Sequence, residues 1–382
     1  MIASDEKLLL ELIKVALGKS AECALPDAFS WNALFELSVE QCVPAIVLDG
    51  LNMVLASSKN EISSASGKLG KLKWLGMVMN MEKQYANHER ILSELASLYQ
   101  NEGFRLMLLK GYGLSKCWPI PAHRPTGDID IYLMDIASRG KGLPAWKRAD
   151  WIMREKLGIK VDCSHHHHSV FTYKGIMVEN HFDFVNVHSH RSNRWIEKEF
   201  KSLAAADYET YTFGNGGTMA FPSPLLHCLF VARHNANHFA AEHLNLRQLL
   251  DWMLLVEKRH EEVDWGLFWS LCRKMGMEKF VLCMVCIAVE HFAFDGGIFH
   301  VPEMYAKFSV EERDLIDRVM DDILHPTDDQ CDGKGLAYVM NRYRLWKRNL
   351  WKHEITYSDG VVSTFFTQVV AHLMKPATIV GA

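Results

Sequence analysis

The segment DIDI at residues 128–131 constrains the fold of this chain more than any other feature of its sequence. Side chains on a strand point alternately to opposite faces, so this alternation predicts a strand with one acidic and one apolar face. Asp128 and Asp130 then lie about 6.6 Å apart along the same face. Two such carboxylates repel each other unless a cation lies between them. The segment therefore predicts either a cation site or a solvated acidic face on an edge strand.

A short apolar segment precedes this strand and ends in glycines. Residues 104–109 read FRLMLL, and they are followed by KGYG at 110–113 and by a short segment that ends at Trp118. This order predicts a strand that turns through Gly111 and Gly113 into a short helix. Backbone N–H groups at such a turn can approach phosphate groups closely, as they do at a helix N-terminus.

A β-hairpin further along the chain carries a third acid. Residues 168–184 predict two strands that turn at Lys174-Gly175, with Glu179 and His181 on one face of the second strand. Mg²⁺ prefers oxygen ligands and is often held by one or two carboxylates together with substrate phosphates. A third acid on a neighbouring strand permits a second metal ion roughly 3.5–4 Å from the first. Asp183, further along the same face, is an alternative third acid.

In this order, the three elements resemble the core of the polymerase-β-like nucleotidyltransferase superfamily, and more closely the bacterial uncharacterised nucleotidyltransferase family. The resemblance spans roughly residues 30–260 and depends on LKG at 109–111, RPTGDID at 124–130, VENH at 178–181 and a later helical region with histidines. One departure is that Tyr112 follows Gly111, where the superfamily usually has Gly-Gly or Gly-Ser.

The resemblance implies transfer of an NMP from an NTP to an acceptor, with release of pyrophosphate, by a two-metal mechanism that uses Mg²⁺ or Mn²⁺. ATP is among the candidate donors. By the same resemblance, the catalytic and metal-binding carboxylates are Asp128, Asp130 and Glu179. The nucleotide-binding residues that it implies are Lys110, Gly111, Gly113, Ser115 and Arg124. The residues with an expected substrate contact are His181, His234 and His238.

Helical periodicity dominates the rest of the chain. We therefore expect an α+β fold, in which a small mixed β-sheet nucleotidyltransferase core at residues 103–220 lies between an N-terminal helical region, 1–102, and a C-terminal helical region, 221–382. The predicted helices outside the core include residues 31–41, 43–55, 71–101, 225–241, 246–258, 265–274, 279–291, 310–324, 336–353 and 361–373.

Charge and hydropathy argue against several classes of protein. The net charge is −4, so no global basic field attracts nucleic acid. The longest uncharged apolar run, 280–289, is far shorter than the roughly 20 residues of a membrane span, and the first residues lack the pattern of a signal peptide. Nine scattered cysteines indicate reduced thiols. We expect a cytoplasmic protein with no membrane partner, and an acceptor that is a small molecule or a protein rather than nucleic acid.

Several features have more than one interpretation. The run of histidines at 165–168 indicates a polar loop before the hairpin, with some rings at the mouth of the site, or a metal site. Arg247 and Asp251 are four residues apart and predict an ion pair on a helix surface, with nucleotide contact as an alternative. The basic and aromatic residues of 341–354 predict a helix with its basic side chains in solvent, or a nucleic-acid contact. Two other functions remain open: a catalytically inactive nucleotide-binding or regulatory protein, and a metal hydrolase centred on histidines.

Overall fold

Seven strands form one mixed β-sheet at the centre of the molecule. The computed structural model describes residues 2–21, 23–26, 29–57, 65–136, 143–241, 243–326, 340, 343–344, 346–360, 364 and 367. The strands are β1 (Phe104–Leu108), β2 (Ile129–Asp135), β3 (Val161–Asp162), β4 (His168–Tyr173), β5 (Ile176–His181), β6 (Tyr208–Thr212) and β7 (Thr218–Pro222). Their spatial order is β3-β4-β5-β2-β1-β7-β6.

The sheet contains both parallel and antiparallel pairs. β2 pairs with β5, and β1 with β7, in parallel, whereas β1–β2, β3–β4, β4–β5 and β6–β7 are antiparallel. The predicted strand at DIDI and the predicted hairpin are both confirmed. Lys174 and Gly175 have positive φ angles of 48° and 88°, as a two-residue hairpin turn requires.

The hairpin β6–β7 and the helix before it were not predicted. The sequence GNGG at 214–217 lies between the two strands, and Thr and aromatic residues flank it on both sides. In the structure, β7 adds to the sheet beside β1, with Met107 opposite Ala220. The hairpin therefore extends the sheet to seven strands.

Helices cover both faces of the sheet. They are α1 (Ser4–Ala16), α2 (Trp31–Glu40), α3 (Pro44–Ser57), α4 (Ala65–Asn101), α5 (Tyr112–Ser115), α6 (Ala145–Trp151), α7 (Asn193–Ala206), α8 (Pro224–Ala241), α9 (Leu246–Arg259), α10 (Trp265–Met275), α11 (Glu278–Phe292), α12 (Phe308–Glu311), α13 (Arg313–Leu324) and α14 (Leu350–Thr356). The predicted helix 310–324 is split at Glu312 into α12 and α13. The predicted helices 336–353 and 361–373 lie largely outside the described residues, which include α14.

The alternation in β2 separates two hydrophobic cores. Ile129, Ile131 and Leu133 pack with the apolar faces of α4 and α6 in one core. The opposite face of the sheet contributes Met107 and Leu109 to a second core, which also contains residues of α1, α3 and α8–α11. The acidic side of β2 therefore faces the helices that follow the sheet in the chain. The domain boundaries at 102 and 220 remain a prediction, since the helices before and after the sheet share this second core.

The membrane prediction can be tested on the described residues. Within them, every helix is too short or too polar to span a bilayer.

Candidate active site

The register between β2 and β5 brings the acidic residues together. Asp130 pairs with Glu179 and Tyr132 pairs with His181. Directly paired residues on neighbouring strands point to the same face of the sheet. Asp130, Glu179 and His181 therefore form one polar cluster, and each contributes a ligand atom within 4.8 Å of the other two.

Two cationic groups contact the Asp130 carboxylate, which is 2% exposed. Lys110 Nζ lies 2.9 Å from Asp130 Oδ1. The Nε2 atom of His181 lies 3.1 Å from the same oxygen and 3.2 Å from Glu179 Oε2. A buried carboxylate needs such partners because burial removes its hydration. The Lys110 side chain thus reaches the carboxylate cluster from the glycine turn that follows β1.

The charges of this cluster shift one another's pKa values. Burial would raise the pKa of Asp130, but the Lys110 ammonium and the His181 ring hold that pKa well below its usual range. Burial would lower the pKa of His181, but its hydrogen bonds to Asp130 and Glu179 raise it to about 9. The carboxylates and the imidazole therefore stabilise one another's charged forms.

Asp128 lies immediately before β2 and is partly buried. Burial and the negative charge of Asp130 raise the pKa of the Asp128 carboxyl. The Glu179 carboxylate also raises the pKa of Asp128. The three predicted carboxylates therefore lie close enough to influence one another. The Nε2 atom of His88 lies 2.6 Å from the carbonyl oxygen of Gly127 and holds the segment before Asp128 against α4.

The glycine turn has the backbone conformation that the sequence predicts. Gly111 has φ 64° and ψ −114°, a combination that only glycine adopts readily. The Leu109 amide donates a hydrogen bond of 3.0 Å to the Asp130 carbonyl, which joins the turn to β2. A Cβ atom on Gly113 would lie 2.9 Å from Phe221 Cε1, so this glycine permits close packing against β7.

Ser115 and Arg124, two of the predicted nucleotide-binding residues, have other partners in the structure. The Ser115 side chain is fully buried, and its hydroxyl donates a hydrogen bond of 2.6 Å to the Tyr112 carbonyl. The Arg124 guanidinium forms a buried bidentate pair with Asp251, with distances of 2.7 and 2.8 Å. The structure does not bring either side chain into the carboxylate cluster through these contacts, and their role in nucleotide binding remains a prediction.

Asp251 has more partners than the Arg247 side chain on its own helix. Its carboxylate is buried, accepts a hydrogen bond of 2.9 Å from Trp118 Nε1, and lies 3.6 Å from Arg247 Nη1. The predicted ion pair between Arg247 and Asp251 is therefore present, but its carboxylate is buried rather than on the helix surface. Asp251 instead connects α9 to the segment between the glycine turn and β2.

The helix α8 places two further histidines near the site. The rings of His234 and His238 have centroids 4.4 Å apart. Burial, followed by the positive charge of Lys110, keeps the pKa of His234 well below its usual range. His234 thus presents a neutral ring in the electrostatic environment of Lys110, whereas the predicted substrate contact of both histidines remains a prediction.

The histidine run at 165–168 is not confined to a surface loop, because its last residue belongs to the sheet. His168 is the first residue of β4 and lies directly opposite His181 of β5. Its Nε2 atom lies 3.7 Å from Glu179 Oε1. Burial lowers the pKa of His168 to about 4 and that of His167 to about 2. The sequence predicted some of these rings at the mouth of the site, but only the register of the hairpin defines the contact with Glu179.

Asp183, the alternative third acid, lies beyond the end of β5. Its Oδ1 atom lies 2.6 Å from Lys201 Nζ, and it belongs to neither of the potential metal-binding groups within the described residues. A cavity of about 360 Å³ lies beside it and is lined by Tyr132, Leu133, Pro144, Ala145, Trp146, His181, Phe182, Asp183 and Lys201. His181 thus belongs to both the carboxylate cluster and the wall of this cavity.

A lysine-bearing glycine turn beside clustered carboxylates, on a mixed sheet flanked by helices, defines a nucleotidyltransferase-type core. The chain belongs to the family described as "Uncharacterised nucleotidyltransferase", which matches residues 59–293, more than half of the 382 residues. The match confirms the family resemblance and supports nucleotidyl transfer as the general activity. The searches of curated proteins and of solved structures found no match.

Proposed function

We propose that the protein transfers an NMP from an NTP to an acceptor at the carboxylate cluster and releases pyrophosphate. The observation that carries this proposal is the pairing of Asp130 with Glu179 next to Lys110. The turn at Gly111 joins these residues to a backbone that can approach phosphate groups.

The donors of this cluster fit a hard divalent cation. Asp128, Asp130 and Glu179 would hold Mg²⁺ or Mn²⁺, since these ions prefer carboxylate oxygens. The raised pKa of Asp128 supports this assignment, because its cause after burial is the neighbouring negative charge. When bound, the ions neutralise charge on the triphosphate and on the attacking and leaving oxygens, as in other two-metal sites.

Each residue of the site would then have a separate role in the transfer reaction. Lys110 would donate to a phosphate oxygen, and the amides at the glycine turn would hold the triphosphate. Glu179 would accept the proton of the acceptor hydroxyl, and His181 would keep the Glu179 carboxylate in position through its bond of 3.2 Å. Rate enhancement would come from alignment and charge stabilisation rather than from a covalent intermediate.

The cavity beside His181 supports a small molecule or an extended protein segment as the acceptor. Its volume of about 360 Å³ lies at the lower end of the range for small-molecule sites. The net charge of −4 agrees with this preference over nucleic acid.

Calorimetric titration tests the proposal. Each NTP with Mg²⁺ is titrated into the wild type, the double variant Asp128→Asn/Asp130→Asn, and the control Asp314→Asn, whose side chain is exposed on α13. We expect metal-dependent binding of one NTP to the wild type and the control, and its loss in the double variant. Binding that survives in a folded double variant, or no binding to the wild type, contradicts the proposed site.

A turnover assay separates transfer from simple binding. Pyrophosphate release is measured with a set of small-molecule and protein acceptors. We expect release to require Asp128 and Asp130. NTP binding without release for any acceptor would favour the regulatory alternative.

A further inference from the structure

Three histidines, from β4, β5 and the residue before β4, converge at the edge of the carboxylate cluster. One nitrogen each of His167, His168 and His181 lies within 4.8 Å of the other two. His168 and His181 are buried, and His167 is partly buried. The centroids of the His168 and His181 rings are 5.1 Å apart, and those of His167 and His181 are 5.5 Å apart.

The backbone fixes this arrangement at two points. His168 pairs directly with His181 across the β4–β5 hairpin. The His167 carbonyl accepts hydrogen bonds from the amides of Phe182 and Asp183, at 3.0 and 3.2 Å. The histidine run is therefore attached to the end of β5, and the three rings do not need a flexible loop to meet.

The rings have unused hydrogen-bonding capacity. The Nδ1 atoms of His167 and His168 are buried and have no hydrogen-bond partner among the described residues. A buried polar atom without a partner costs about 1–3 kcal/mol, and native proteins retain few of them. Two such atoms in adjacent residues, beside a third histidine, indicate that a ligand satisfies part of the cluster.

We propose that His167, His168 and His181 form a binding site for a transition-metal ion of the Zn²⁺ type, with Glu179 as the fourth ligand. Imidazole nitrogens select Zn²⁺, Co²⁺, Ni²⁺ or Cu²⁺ over Mg²⁺, whereas carboxylates alone favour the hard cations. Three histidines with one carboxylate match the tetrahedral coordination that Zn²⁺ adopts in proteins. The distance of 3.7 Å between His168 Nε2 and Glu179 Oε1 leaves Glu179 next to the three rings.

This site differs from the proposed Mg²⁺ site in its donors but adjoins it through Glu179 and His181. Asp128 and Asp130 supply oxygen ligands on one side of Glu179, and His167 and His168 supply nitrogen on the other. The inference does not require nucleotidyl transfer, since it depends only on the positions of the imidazoles. The two sites can be removed separately because Asp128 and Asp130 belong only to the proposed Mg²⁺ site, and the three histidines belong only to the transition-metal site.

Cobalt spectroscopy and metal analysis test the site. The full chain without an added histidine tag is stripped of metal, and Co²⁺ and Zn²⁺ are titrated into it. The wild type is expected to bind one equivalent, with the visible absorption of tetrahedral Co²⁺. His167→Ala/His168→Ala is expected to lose that absorption and to bind Zn²⁺ at least about 100-fold more weakly, a loss at the upper end of that seen for perturbed metal shells.

Two further variants control for nonspecific loss of metal binding and for unfolding. His300→Asn, in which the replaced histidine is exposed and distant in sequence from the run, is expected to bind Co²⁺ like the wild type. His168→Gln preserves hydrogen bonding at the start of β4 and replaces the double variant if circular dichroism shows that the latter is unfolded. A wild type that shows no tetrahedral Co²⁺ spectrum, or a folded histidine variant that retains it, overturns the inference.

Failure of this inference and failure of the proposed function give different results. Asp128→Asn/Asp130→Asn is expected to lose Mg²⁺-dependent NTP binding and to keep the Co²⁺ spectrum. Nucleotide binding without a Co²⁺ site would refute only the histidine site. A Co²⁺ site in a protein that binds no NTP would support the histidine site and contradict the nucleotide proposal.

Discussion

The buried pair of Arg124 and Asp251 allows a quantitative prediction for Asp251→Asn. The two side chains are 3% and 4% exposed and share two contacts of 2.7 and 2.8 Å. The substitution keeps the shape of the side chain but leaves the Arg124 guanidinium buried without an opposite charge. Since solvent screens this pair little, the loss follows the pattern of broken buried ion pairs, about 3–5 kcal/mol.

This loss translates into a measurable change in melting temperature. With about 2.1 cal/mol/K of unfolding entropy per residue, a cooperative chain of 382 residues has roughly 0.8 kcal/mol/K in total. A destabilisation of about 3–5 kcal/mol then lowers the Tm by about 4–6 °C. The double variant Arg124→Met/Asp251→Leu removes both charges of the pair. It leaves the Trp118 indole N–H without its acceptor, at a cost of about 1–3 kcal/mol, and it leaves Arg247 without the carboxylate 3.6 Å away.

Urea unfolding and differential scanning calorimetry of the wild type, Asp251→Asn and the double variant compare their stabilities. We expect the double variant to be more stable than Asp251→Asn. A loss below about 1 kcal/mol for Asp251→Asn, or a double variant less stable than the single one, would refute the reasoning from burial. Titration of NTP into the double variant also tests the role that the family resemblance implies for Arg124. Loss of NTP affinity in the folded double variant would support that role, and retained affinity would contradict it.

Two further predictions concern a buried acid and the glycine turn. Burial raises the pKa of Glu197 to about 7, so the folded protein holds a proton that the unfolded chain loses above pH of about 4.5. The free energy of unfolding therefore falls as the pH rises from about 4.5 to 7, by up to about 3 kcal/mol from this group. Chemical unfolding across this range should show that Glu197→Gln gains stability relative to the wild type, and a constant difference would contradict the shift. Gly111→Ala is expected to lose about 1–3 kcal/mol through its backbone conformation alone, since the nearest atom to the new Cβ is the Asp128 carbonyl oxygen at 3.7 Å. Gly127→Ala, at an open position, is the control for urea unfolding, and equal stability of the two variants would disprove the strain.

Much of the architecture was predictable because it depends on local patterns. The DIDI alternation predicted β2 with one apolar face, and Ile129 and Ile131 do pack into one core. The glycine at 175 predicted the hairpin turn, and the period of apolar residues predicted α8 to α11 nearly to their ends. The strands β6 and β7 were missed even though GNGG with flanking Thr and aromatic residues is a hairpin signal.

The sequence by itself determined the candidate site residues: the alternation predicts Asp128 and Asp130 on one face, and the family motifs add Lys110 and Glu179. Only the tertiary structure decided which of the predicted residues meet. A one-residue shift between β2 and β5 would turn Glu179 away from Asp130, and the pairing of His168 with His181 depends in the same way on the hairpin register. Arg124 meets Asp251 across 127 residues of chain, and its charge is satisfied there because α9 packs against the segment before β2. Such contacts depend on the joint packing of distant segments, so no local periodicity specifies them.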